Sequence, residues 1–174
     1  LSTQEWAEHL VDVVGFEGPW QQVAQRVIDA VAEEYATGGL PVLPGAVEAV
    51  RRMAGLVPTA IASSSPRRLI DLVVARLGLG EALSVTVSTE EVPRGKPYPD
   101  GYLKACELLG VDATRCVAVE DSTNGVRSAH AAGMAVVCVP PDFHPPAQET
   151  LALCGAVIPS LDGLTEDLLR SLAR

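Results

Sequence analysis
A chain of 174 residues makes one domain, or one domain with a small appendage, and is long enough to bury a sizeable core. With 48% apolar but only 4% aromatic residues that core is aliphatic, and a net charge of −9 disfavours nonspecific attraction to nucleic acid or anionic lipid while allowing a local basic site for an anion. No apolar run reaches the roughly 18 residues of a membrane span, no basic leader with a cleavage site opens the chain, and Cys106, Cys116, Cys138 and Cys154 form no C-x-x-C pair, so a soluble cytoplasmic protein with buried reduced thiols is expected.

In chain order, Ser2-Thr3-Gln4-Glu5 has the S-x-x-E spacing of a capping box at a helix start. Trp6, Leu10, Val13 and Val14, then Val23, Val27, Ala30 and Val31 after Pro19, keep helical spacing, so residues 2–37 read as two amphipathic helices with Trp6 in their shared core. Gly38 and Gly39 end that section, and a hinge is expected near 38–44. From Pro44 the rhythm becomes helix, short apolar run, polar loop, helix, the pattern of a parallel sheet covered by helices. The expected strands are Val57–Ala62, Ser84–Ser88, Cys116–Val119, Ala135–Val139 and Ala156–Ile158. Between them, Pro66 and Gly78 bracket one helix, Pro99 and Gly110 the next, a third runs from Ser122 to about Ala132, and the tail from Asp162 to Ala173 forms the last.

Three strand ends carry polar groups suited to one task. Ser63-Ser64-Ser65-Pro66 leads into a helix, where hydroxyls and first-turn amides make an anion site; the alternative is an ordinary N-cap. Lys96 sits in Thr89 to Pro99, a loop stiffened by prolines, and can set its ammonium against a phosphoryl oxygen; the alternative is a solvated surface lysine. Glu120 and Asp121 end the third strand as the paired carboxylates Mg²⁺ accepts beside water and a substrate phosphate; the alternative is an Asp N-cap. Parallel strands carry all three to one sheet edge, where they would bind a phosphate with a divalent cation.

The segments "IASSSP", "RGKPYPDGYLKA" and "VAVEDSTNGVRSAHAAGM" resemble the second, third and fourth motifs of the haloacid dehalogenase-like hydrolases, in the branch of β-phosphoglucomutase-like proteins and sugar-phosphate phosphatases. The resemblance implies an α/β fold with a Rossmann-like parallel sheet, residues 41–174 forming the core and 1–40 part of a helical cap. It implies that Ser63 and the Ser64 backbone bind the transferring phosphoryl group, that Lys96 neutralises charge, that Asp121 ligates Mg²⁺ and that Glu120 does so directly or through water. Ser65, Asn124 and Thr3 would face the substrate, a small phosphorylated metabolite. The implied mechanism is in-line attack by an aspartate, giving an aspartyl-phosphate that water or a sugar hydroxyl resolves.

The family's first motif, an apolar strand ending D-x-D that supplies this nucleophile, is absent from the sequence. Its strand would lie between those carrying Ser63 and Glu120, and its loss would leave unpaired backbone on both neighbours. The expectation is therefore a fragment of a longer enzyme, inactive as it stands, or a chain completed by a second polypeptide. Thr3 stands where the mutase carries a phosphate-gripping arginine, which favours a phosphatase over a phosphotransferase; Arg26 reads as a helix-surface residue. Arg67 and Arg68 either touch substrate or are solvated, and His9, His130 and His144 lack ligand spacing. A dehalogenase, a signalling receiver domain and an inactive phosphate-binding module are the competing classes, and a monomer or weak homodimer is expected.

Overall fold
The structure, a computed structural model, describes residues 2–38 and 42–172. Part of the expected hinge, residues 39–41, and the expected last helical residue, Ala173, lie outside the described residues. Helix α1 spans Thr3–His9 and opens on the expected two-sided cap: Glu5 N donates to Ser2 Oγ at 3.3 Å and Ser2 N to Glu5 Oε2 at 2.6 Å. The regular spacing stops there. Leu10–Val14 widens into a π-helical turn closed by Gly15 at φ 89°, which rotates Val13 and Val14 off the apolar stripe and leaves them 69% and 57% exposed. Trp6 is half-buried and Ala7 takes the buried place in that first helix.

Helix α2, Trp20–Thr37, buries Val23, Ala24 and Ala32 and ends at Gly38, whose left-handed φ of 88° lets its N–H close on Glu34 O. Helix α3 is Ala46–Ala54. Strand β1, Ala60–Ser63, starts three residues later than expected, because Val57 N is already committed to Met53 O and Pro58 has no N–H for a ladder. Helix α4, Arg67–Arg76, returns to β2, Val85–Ser88, which pairs parallel with β1 from Ala60↔Val85 to Ser63↔Ser88. Helix α5, Asp100–Leu109, is bracketed by Pro99 and Gly110 as expected.

The remaining units are β3 (Val117–Glu120), α6 (Thr123–Ala131), β4 (Ala135–Cys138), α7 (Gln148–Leu151), β5 (Ala156–Val157) and α8 (Glu166–Leu172). The single tail helix expected from Asp162 is split into a 3₁₀ turn at Leu161–Gly163 and α8. Strand β4 is the middle of the second parallel sheet, β3-β4-β5, and its alternating side chains feed two cores. Val136 packs with Tyr102, Ala118, Val126 and Ala129, whereas Val137 packs with Ala49, Met53 and Leu164. Each such fully buried valine contributes about 1.5–3 kcal/mol of apolar burial.

Two sheets rather than one are formed among the described residues: β1-β2 and β3-β4-β5. The interruption falls between the Ser63 strand and the Glu120 strand, where the missing strand of the resemblance belongs. Its marks are plain: all four β1 residues are only half-buried, and Val119, inside β3, is 40% exposed. Packing holds the halves together, since Ala62 of β1 lies against the Tyr102–Ala118 cluster and α5 packs on β1 and β2. No described helix is long and apolar enough to cross a membrane.

Candidate active site
Because each sheet is parallel, Ser63, Ser88 and Glu120 all stand at the C-terminal ends of strands, where open α/β sheets bind ligands. Glu120 is the most constrained of them. Only 8% exposed, its Oε1 pairs with the Lys96 ammonium and accepts the Tyr102 hydroxyl at 2.5 Å. Its Oε2 faces Asp121 N and Ser122 Oγ, both at 3.4 Å. Gly125 forms the floor: a Cβ there would lie 1.8 Å from Oε2, so the glycine of S-T-N-G makes room for this carboxylate. Lys96, with a side chain 14% exposed, is no solvated surface lysine.

The Lys96 loop is held from several sides. Ser128 Oγ on α6 donates to Tyr98 O at 2.6 Å, Arg94 pairs with Asp100 at 3.0 Å, and the Arg94 guanidinium lies 4.4 Å from the Tyr98 ring centroid. The Lys96 ammonium lies 4.9 Å from the Tyr102 ring centroid. Burial first, then the charge of Glu120, pushes the Tyr102 phenol well above its ordinary range, so it stays a neutral donor.

Asp121 is exposed, and it is not a helix cap, because Ser122 Oγ takes that role by accepting Gly125 N at 3.1 Å. The serine loop is likewise no N-cap: α4 starts behind Pro66 without a side-chain cap, and Ser63 Oγ accepts Ser65 N at 3.1 Å within the loop. Ser65 O accepts Ser88 Oγ at 2.8 Å and Ser64 O accepts Thr89 Oγ1 at 3.4 Å, fixing the loop to the end of β2. The first-turn amide of Arg67, part of the anticipated anion site, already donates to Glu90 Oε2 at 3.0 Å. Thr3 reaches the same carboxylate, donating to Glu90 Oε1 at 3.3 Å, so the cap helix touches the core beside the serine loop. Asn124 is half-buried in the first turn of α6.

Arg67 is engaged within the protein: it bonds Glu91 through Nε at 3.0 Å and Nη2 at 2.7 Å, and Thr86 O at 2.8 Å. Arg68 pairs with Asp29 of α2. Arg26, His9, His130 and His144 are exposed, and the cysteines are free, Cys106 and Cys138 buried, Cys116 and Cys154 half-buried. Sequence reasoning overlooked Glu90, Tyr102 and Gly125. The signal for Tyr102 was a hydroxyl-bearing ring in the first turn after the lysine loop, and for Gly125 a glycine just inside a helix.

No group of three or more His, Cys, Asp or Glu side chains able to hold a metal occurs among the described residues. Two adjacent carboxylates, one anchored and one open to solvent, suit a hard cation that keeps its waters and shares a substrate phosphate, and do not suit an all-protein cage. The structure thus brings Lys96 onto Glu120 beside Asp121, while Ser63 stands at the corresponding end of β1 in the other sheet.

Comparison with known proteins bears on the family and the fold. The family model of haloacid dehalogenase-like hydrolases matches residues 2–133. The chain is 36% identical over 170 residues to hexitol phosphatase B of Escherichia coli strain K12, covering 92% of this chain and 74% of that one. Fructose-1-phosphate phosphatase YqaB of the same strain is 34% identical over 93 residues, 53% of this chain and 50% of its own. Among solved structures, β-phosphoglucomutase from Clostridium difficile superposes with a TM-score of 0.80 at 17% identity, over 99% of this chain and 77% of that one, a likeness of fold. Motif residues gathered at the strand ends, a parallel sheet flanked by helices and a match over most of the chain lead to one assignment: the chain belongs to the haloacid dehalogenase-like hydrolases.

Proposed function
We propose that this chain forms the core and part of the cap of a Mg²⁺-dependent phosphatase acting on a small phosphate monoester, a sugar phosphate being the class named in its relatives. The observation that carries the reading is the buried Lys96–Glu120 pair with Asp121 beside it at the end of β3. Ser63 and the Ser64 backbone bind the phosphoryl group, and Lys96 offsets its charge as the leaving oxygen departs. Asp121 is the direct Mg²⁺ ligand, Glu120 supports the metal from inside, and Ser65, Asn124 and Thr3 border the substrate. When bound, Mg²⁺ orients the phosphate and withdraws charge from its oxygens.

The attacking carboxylate comes from an extended segment seated between β1 and β3 and pairing with both edges, giving an aspartyl-phosphate that water resolves. The interrupted sheet supports this, as does the lack of a D-x-D among these 174 residues. Acting without that segment, the chain binds phosphate and Mg²⁺ and does not turn over. The commitment of the Thr3 hydroxyl to Glu90 favours hydrolysis over the gripping of a second phosphate that a mutase needs. The test is phosphate release from a panel of hexose, pentose and hexitol phosphates, with Mg²⁺ or EDTA, by this chain and by the product of its full reading frame. Turnover by the longer product, abolished by EDTA, is expected; no release from any substrate by either would overturn the reading.

A further inference from the structure
Tyr102 touches both members of the pair: its ring lies under the Lys96 ammonium, 4.9 Å from it, and its hydroxyl donates to Glu120 Oε1 at 2.5 Å. It is 9% exposed and stands in the first turn of α5, a helix packed on β1 and β2, so the first sheet reaches the end of the second through it. A carboxylate with two donors on one oxygen and a glycine floor beneath the other has one orientation open to it. Oε1 is filled, and Oε2 is turned toward Asp121 N and Ser122 Oγ.

We infer that Tyr102 is a positioning residue, which by holding Glu120 Oε1 keeps Lys96 at the strand end and reserves Glu120 Oε2 for the cation side of the site. The inference rests on the proposed placement of Mg²⁺ at Asp121. A charge-assisted hydrogen bond to a carboxylate is strong, and the loss of one from a buried anion costs more than the loss of a neutral one. Without the hydroxyl, Glu120 Oε1 keeps only Lys96, so the carboxylate and the ammonium paired with it are less firmly placed.

The test is Tyr102→Phe in the product of the full reading frame, because phenylalanine keeps the ring under Lys96 and removes only the donor. By titration calorimetry the dissociation constant for Mg²⁺ should rise roughly tenfold, and kcat should fall by a similar factor with KM for the substrate within about twofold. A merely structural tyrosine would lower the unfolding temperature and leave Mg²⁺ affinity and kcat unchanged, and that result overturns the inference. Should the parent protein bind no Mg²⁺, the metal reading falls with it; parent binding with an unaltered Y102F affinity sinks the positioning role alone. If Y102F does not fold, the parent labelled with ¹³Cζ-tyrosine decides, its other tyrosine resonances, Tyr35 and Tyr98 among them, being assigned by single Tyr→Phe changes. The Tyr102 resonance should shift when Mg²⁺ is added, and a stationary resonance overturns the inference.

Discussion

At the scale of single residues, the site is built around one buried carboxylate, and its neighbours are defined by what each does to Glu120. Lys96→Met removes the cation from a side chain that is only 7% exposed, leaving an uncompensated charge. Such a loss costs about 3–5 kcal/mol, measurable by denaturant unfolding, and under the proposed function phosphate release by the product of the full reading frame should fall with it. Gly125→Ala drives a methyl group to within 1.8 Å of Glu120 Oε2, so the carboxylate must leave its place. The expected cost is about 1–3 kcal/mol, whereas Gly101→Ala, with nothing within 4 Å of its Cβ, should be neutral or slightly stabilising in the same unfolding measurement. In two of the cysteines burial is the largest effect. It pushes the Cys106 thiol up to about 12 and the Cys138 thiol up to about 11, the neighbouring Cys116 and Cys154 adding less. Both should react slowly with a thiol reagent in native buffer at about pH 8 and promptly in denaturant, because the thiolate is the nucleophile.

At the scale of elements, α4 is held to the end of β2 by the Arg67–Glu91 fork, and to α2 by Arg68–Asp29. The Arg67 guanidinium, then the Ser88 amide, hold the Glu91 carboxyl below its ordinary value of 4.5. A carboxyl depressed in the folded state contributes stability that is complete above that ordinary value and is lost as pH falls through the lower folded one. Arg67→Met should therefore be less stable than the parent above pH 4.5, and the difference should narrow on further acidification, as followed by urea unfolding across pH. A difference that is constant with pH would mean that the bonds to Thr86, which do not titrate, supply the whole effect. Local punctuation made most elements legible: Pro99 and Gly110 delimit α5, and Ser122 caps α6. Val13 and Val14 misled because a helical spacing continues in the sequence through residues whose backbone has widened into a π turn.

At the scale of the whole molecule, the parallel sheet is interrupted, and the protection of its backbone should follow the interruption. Strand β4 is paired on both sides and its Val136, Val137 and Cys138 are at most 1% exposed, while β1 and β3 are each the end strand of a sheet. Hydrogen exchange should leave β4 amides the most protected and release those of β1 first. In the product of the full reading frame, β1 and β3 should gain protection if a further strand seats between them; unchanged exchange there would remove the structural support for that strand.

The order of elements and the polar groups at the strand ends were readable from residues because they rest on short-range chemistry: apolar runs of strand length, proline and glycine at helix ends, and carboxylates or hydroxyls at the ends of those runs. The sequence also revealed the missing D-x-D strand, since a motif's absence needs no coordinates. Which polar groups meet was decided only by the fold. Lys96 and Glu120 are 24 positions apart, Arg67 and Glu91 also 24, and Thr3 and Glu90 are 87 apart. No periodicity links such positions; the packing of α5 between the two sheets and of α1 against the core does, because a charge or hydroxyl taken out of water must find its partner wherever the chain brings one within reach.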